Sequence, residues 1–156
     1  MGQGHDLVRR WVAMFNTADL ALADDIAAAE YVEHARAPFA ATEPGDVAGP
    51  AHLREAAAWL LAQFPDLHMT AEAIVEEGNI VAALVTSTGT NLGPLNGVIP
   101  PTGRTFTAQQ SHWFRIRDGR LAEHWATRDD LTSMLQLGVL QGPAGRPDRE
   151  PAATRG

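Results

Sequence analysis

A chain of 156 residues is the size of one ordinary domain, long enough to enclose a core and still leave a pocket. Its 45% hydrophobic and 20% charged residues give the balance of a soluble globular protein and exclude wholesale disorder, while a net charge of −7 argues against nucleic acid as the main partner. There is no cysteine, and all 12 basic residues are arginine, which removes disulfides, thiolate nucleophiles and lysine Schiff bases. An acid–base catalyst must therefore come from the 6 His, the Asp and Glu residues, or Tyr31. No apolar run approaches the ~18–20 residues of a membrane span, and the start does not read as a signal peptide. A cytoplasmic protein with no membrane partner is expected.

Leu7, Trp11, Met14 and Phe15 are spaced as the stripe of an amphipathic helix over 5–16. Asn16-Thr17-Ala18-Asp19 then predicts a turn, with Asp19 able to cap a second short helix over 20–29. Tyr31-Val32-Glu33-His34 is a brief extended piece, and Ala37 to Pro50 an irregular segment rich in Pro, Gly and Ala. A third helix follows, with Pro50 near its first turn and Leu53, Ala57, Leu60, Leu61 and Phe64 on one face.

Beyond Pro65-Asp66 the period changes. Residues 68–76 alternate weakly, and Glu77-Gly78-Asn79 turns into the β-branched run 80–90. Asn91 to Gly103 predicts a long loop and a candidate lid. Thr105 to Arg117 alternates, Arg117-Asp118-Gly119-Arg120 is a turn, and 121–127 forms the last strand. Asp129 or Asp130 caps a final helix through Leu137, stopped by Gly138. Residues 1–140 are then one domain, and 141–156 a flexible tail. Helices, a meander of four strands and a closing helix make an α+β domain. A curved antiparallel sheet with helices across one face leaves a conical hollow, the natural ligand site.

On the 105–117 strand the apolar face holds Phe106, Ala108, Phe114 and Ile116, and it also carries Gln110 and His112. Two polar side chains in a hydrophobic wall are costly unless they meet each other, the backbone or a ligand. They are either satisfied core residues or pocket groups. In the last strand Leu121 and Trp125 suggest that Leu121, Glu123, Trp125, Thr127 and Asp129 point inward, with His124, Ala126 and Arg128 outward. An inward Asp129 near His112 would be an acid–base pair; otherwise it caps the last helix. Asp130 is the more natural cap. His34 and Phe39 fall where the chain enters its irregular segment and are candidates for the pocket mouth, whereas His5, His52 and His68 sit at element ends and join no constellation. No His pair has the short spacing of known metal ligands, and there is no phosphate cradle or serine elbow, so neither metal nor cofactor is expected.

Pro100-Pro101-Thr102-Gly103-Arg104, Gln110-Ser111-His112-Trp113-Phe114-Arg115 and Asp118-Gly119-Arg120-Leu121-Ala122-Glu123-His124-Trp125 carry a resemblance. So do Asn16-Thr17-Ala18-Asp19, Tyr31-Val32-Glu33-His34, Phe64-Pro65-Asp66-Leu67 and Gln136-Leu137-Gly138. Over about residues 5–140 the chain resembles the SnoaL-like polyketide cyclases, or ester cyclases, of the nuclear-transport-factor-2-like superfamily. The resemblance implies a cone-shaped α+β barrel, a homodimer or homotetramer built through the sheet, and cofactor-free aldol-like ring closure on a small polyketide-like substrate. It matches His112 to the family's histidine. Many relatives carry the acid–base aspartate directly after the His-Trp pair, where this chain has Ala126. Asp129 is the carboxylate left to partner His112, with Gln110, Trp125, His34, Phe39 and Phe106 as substrate-binding side chains. Two alternatives stand beside it: epoxide opening, which Arg128-Asp129 partly echoes, and non-catalytic carriage of a hydrophobic ligand.

Overall fold

The computed structural model describes residues 2–35 and 48–143. Phe39, most of the irregular segment and residues 144–156 of the expected tail lie outside them. Helix α1 (Gln3–Thr17) buries Leu7, Val8, Trp11, Met14 and Phe15, the face its periodicity predicts, and ends where Ala18 takes a left-handed conformation. Helix α2 is shorter than expected, Leu22–Ile26. The alanines after it enter strand β1 (Ala27–Glu33), because pairing with the sheet outweighs their helix propensity. Helix α3 (Gly49–Gln63) starts on Gly49, whose φ is +72° and where a Cβ would sit 2.5 Å from the Ala29 carbonyl oxygen. Only glycine lets α3 approach β1 that closely.

Strands β2 (His68–Glu77), β3 (Ile80–Thr90), β4 (Thr105–Arg117) and β5 (Arg120–Arg128) form the expected antiparallel meander, and helix α4 (Asp130–Gln136) follows. The sheet has five strands in the order β1-β5-β4-β3-β2, with β1 parallel to β5. The brief extended piece is therefore a full edge strand, and the sheet is mixed rather than wholly antiparallel. Asp118 (φ 48°) and Gly119 (φ 75°) form the two-residue turn that joins β4 to β5.

One irregularity in that hairpin decides which side chains face inward. Arg115 pairs with Glu123 but Ile116 pairs with Leu121, so Ala122 is an extra residue, a bulge. Leu121 and Ala122 are both buried, and beyond them alternation has slipped by one. His124, Ala126 and Arg128 face the concave side, whereas Glu123 and Trp125 face out; the expected parity is reversed. Among the described residues no helix is long and apolar enough to cross a membrane.

Candidate functional site

The concave face of the sheet, closed by α1, α3 and α4, encloses a cavity of about 190 Å³. Its apolar wall includes Trp11 and Phe15 of α1, Leu60 of α3, Phe106 of β4 and Met134 of α4. Phe106 stands edge-on to Phe64 at 4.9 Å between centroids, so this expected wall residue is in place. The long loop 91–104 is stitched down rather than free. Buried Asn91 donates to the Gly93 carbonyl (2.8 Å) and accepts from the Thr102 N–H (2.9 Å), and Gln63 accepts from the Asn96 N–H at 2.8 Å.

A line of polar side chains crosses the floor of this cavity. Glu33 stands in register with His124 across the β1–β5 pair, and His112 and Gln110 follow on β4. The Glu33 carboxylate accepts from His124 Nδ1 at 2.7 Å; His124 Nε2 meets His112 Nδ1 at 2.9 Å; His112 Nε2 meets Gln110 Oε1 at 2.9 Å. Glu33 also accepts from the Tyr31 hydroxyl and the Ala35 N–H, each at 2.9 Å, and the Ser87 hydroxyl reaches Gln110 Oε1 at 3.5 Å. His112 and His124 are 4% and 5% exposed and stack nearly parallel at 5.2 Å. Trp11 lies over both, at 4.8 and 5.6 Å between centroids, with its buried Nε1 hydrogen-bonded to nothing among the described residues. The indole acts as an apolar cover.

The electrostatics follow from this burial. His112 is held well below its ordinary pKa by desolvation, then by the positive charge of His124 and Arg128. Burial alone would raise the Glu33 carboxyl, but the hydrogen bond and charge of His124, the Ala35 N–H and Tyr31 outweigh it and hold Glu33 below its usual value. Burial, with the neighbouring Glu33 charge, pushes the Tyr31 phenol well up, so it remains a donor at neutral pH. These groups form a neutral imidazole in contact with a histidine backed by a carboxylate.

The sequence candidates divide sharply. His112, Gln110 and Phe106 meet in the cavity. His34 and Trp125 are together, but on the outer side: their rings stack at 4.7 Å, His34 Nε2 meets Glu123 at 2.9 Å, and Arg115 lies over the Trp125 ring. Asp129 sits at the start of α4 and accepts from the Thr132 N–H (3.1 Å) and hydroxyl (2.7 Å). It is the helix cap, and those bonds lower its pKa. Asp130, expected as the cap, instead lines the cavity beside Arg128, 3.3 Å from its Nε. Sequence reading placed neither Glu33 nor His124 in the site. The available signal was Tyr31 and Glu33 two apart in an extended piece, a spacing that puts both on one face.

Fold and site together define a small α+β cup for an organic molecule, with a buried row of titratable groups on its floor. Three kinds of comparison agree on its kin. The family model described as SnoaL-like polyketide cyclase matches residues 5–137. Aklanonic acid methyl ester cyclase DnrD of Streptomyces peucetius is 34% identical over 134 residues, covering 85% of this chain and 89% of that one. Nogalonic acid methyl ester cyclase of Streptomyces nogalater is 33% identical over 128 residues, covering 81% and 91%. Among solved structures, TsrD of Streptomyces laurentii superposes with a TM-score of 0.77 at 30% identity, covering 88% of this chain and 96% of that one. IdmH of Streptomyces antibioticus does so with a TM-score of 0.72 at 33% identity, covering 88% and 99%. The chain belongs to the SnoaL-like polyketide cyclase family.

Proposed function

We propose that this protein closes a ring in a polyketide-type methyl ester by cofactor-free acid–base chemistry, and that Glu33, His124 and His112 work as one proton relay. The observation that carries this reading is the unbroken Glu33–His124–His112–Gln110 line, with steps of 2.7, 2.9 and 2.9 Å. Curated relatives act on methyl esters of aklanonic and nogalonic acid, which supports the substrate class.

Proton counting gives the relay its working states. A neutral His112 that donates from Nε2 to Gln110 Oε1 has a bare Nδ1, which must accept from His124 Nε2. His124 also donates from Nδ1 to Glu33, so the cation rests on His124 beside the carboxylate. In the base state one proton has left to solvent: His124 has passed its Nε2 proton to His112 Nδ1 and keeps only Nδ1–H, and the bare His112 Nε2 turns from Gln110 Oε1 to the substrate. The ring then takes a proton from the carbon α to a substrate carbonyl at Nε2 and passes its Nδ1 proton to His124. The enolate carbon forms a C–C bond to a second carbonyl carbon, whose π pair moves onto its oxygen. Returning the proton along the same line neutralises that alkoxide, so no net proton is consumed. A positive charge on buried His112 alone would be costly; moving it next to Glu33 makes His112 a serviceable base. Gln110, its Oε1 engaged, keeps its amide N–H groups to donate to the enolate oxygen.

Glu33 thus supplies from the edge strand the carboxylate that Ala126, directly opposite His112, does not. Glu33→Gln keeps the side chain's size and removes the charge. With aklanonic acid methyl ester and nogalonic acid methyl ester as substrates, kcat should fall about 10²–10⁴-fold with KM little changed. A Glu33→Gln protein closing rings at the wild-type rate would overturn the relay. The second proposal concerns assembly: the row Val75–Ala82–Trp113–Trp125 across the convex face, with Trp113 46% exposed, is where a second copy of this chain docks.

A further inference from the structure

Among the described residues, the polar side chains lining the cavity have partners with two exceptions: the indole N–H of Trp11, which is sealed from the cavity, and the ring of His52. His124 uses both ring nitrogens, His112 uses both, and Gln63 spends its amide on the Trp59 carbonyl and the Asn96 N–H. His52, in the first turns of α3, lines the same cavity, is 8% exposed, and makes no hydrogen bond or ion pair among the described residues. Its nitrogens are not sealed off either, since Trp11 Nε1 is the one sealed and unpartnered side-chain polar atom among the described residues. A buried polar group without a partner is costly. A group that remains open to a cavity escapes that cost when a ligand completes it.

We infer that His52 is a second polar anchor, recognising an oxygen substituent that the substrate carries away from its reacting carbon. A neutral imidazole offers one N–H and one lone pair, the pair of contacts that a hydroxyl completes, and its N–H alone suits a carbonyl. The relay on the sheet and His52 on the covering helix then hold the molecule from two sides. Apolar walls between them set only shape, so the polar contacts set orientation. The inference deepens the proposed function and rests on it for which end of the substrate reacts. Its chemistry is that of a site which discriminates strongly, because a substrate lacking the oxygen leaves the anchor unmet.

Binding, rather than turnover, tests it. The probes are 2,6-dihydroxynaphthalene, with a hydroxyl at each end, and 2-naphthol, of the same shape with one. Wild-type protein should bind the dihydroxy probe about tenfold more tightly. His52→Phe, which keeps a planar ring, should abolish that preference while still binding 2-naphthol, and His52→Gln, which keeps a donor and an acceptor, should restore part of it. The ratio of two affinities in one variant does not depend on how stable that variant is. Equal affinities in the wild type, or a tenfold preference surviving in His52→Phe, would each overturn the proposal. The outcome is independent of the relay: Glu33→Gln leaves His52 in place, so loss of ring closure and loss of hydroxyl discrimination are separate results.

Discussion

At the residue scale, burial sorts two histidines only 2.9 Å apart. His112, surrounded by Trp11 and the sheet, favours the neutral form, while His124 is backed by Glu33. The consequence for stability has a definite sign. His112 has a lower pKa folded than unfolded, so below the unfolded value of about 6.5 the unfolded chain binds more protons. Its contribution is complete above that pH and is lost as pH falls toward the folded value, by up to about 1.4 kcal/mol per unit. Thermal melts from pH 7.5 to 5 should therefore show wild-type stability dropping more steeply than that of His112→Gln; parallel profiles would contradict the depressed pKa. Much at this scale was legible early: Gln110 and His112 stood out as polar residues on an apolar face. Glu33 did not, because the carboxylate that matters is 91 residues from its histidine and reaches it only through the β1–β5 pairing.

At the scale of elements, the bulge at Ala122 and the start of α4 reassign four residues, His124, Trp125, Asp129 and Asp130. Alternation carried back from Trp125 to Leu121 assumes a perfect ladder, and one extra residue inverts everything beyond it. That is why His124 and not Trp125 faces the cavity. The Asp129-Asp130 pair poses a similar ambiguity, since either residue can cap; the geometry gives the cap to Asp129, leaving Asp130 to Arg128 in the cavity wall. Asp129→Ala should consequently cost about 1 kcal/mol in denaturant unfolding, within the 0.5–2 kcal/mol range of N-cap losses. Ring closure should change less than tenfold, in contrast to Glu33→Gln. A collapse in kcat with unchanged stability would return Asp129 to the chemistry. The 91–104 loop makes the opposite point: its Gly and Pro content marks it as irregular, but Asn91 and Gln63 tie it down, and composition does not report such ties.

At the scale of the whole molecule, the two faces of one sheet have different tasks. The concave face carries the cavity; the convex face exposes Trp113, Leu84 and Val75, with no helix over them among the described residues. If that face binds a second copy, light scattering at micromolar concentration should give at least a dimer, and Trp113→Arg should shift it to monomer with ring closure retained, since Trp113 points away from the cavity. A monomeric wild type would refute this assembly. The sequence by itself determined the α+β class, the family, the order of helices and meander, and the polar pair on β4, because these depend on local period and on motifs contiguous in the chain. Only the tertiary structure decided the fifth, parallel strand, the inward parity of β5 and the partnership of Glu33 with His124. Those depend on register between segments far apart in sequence, and a shift of one residue in register exchanges the side chains that face water for those that face the ligand.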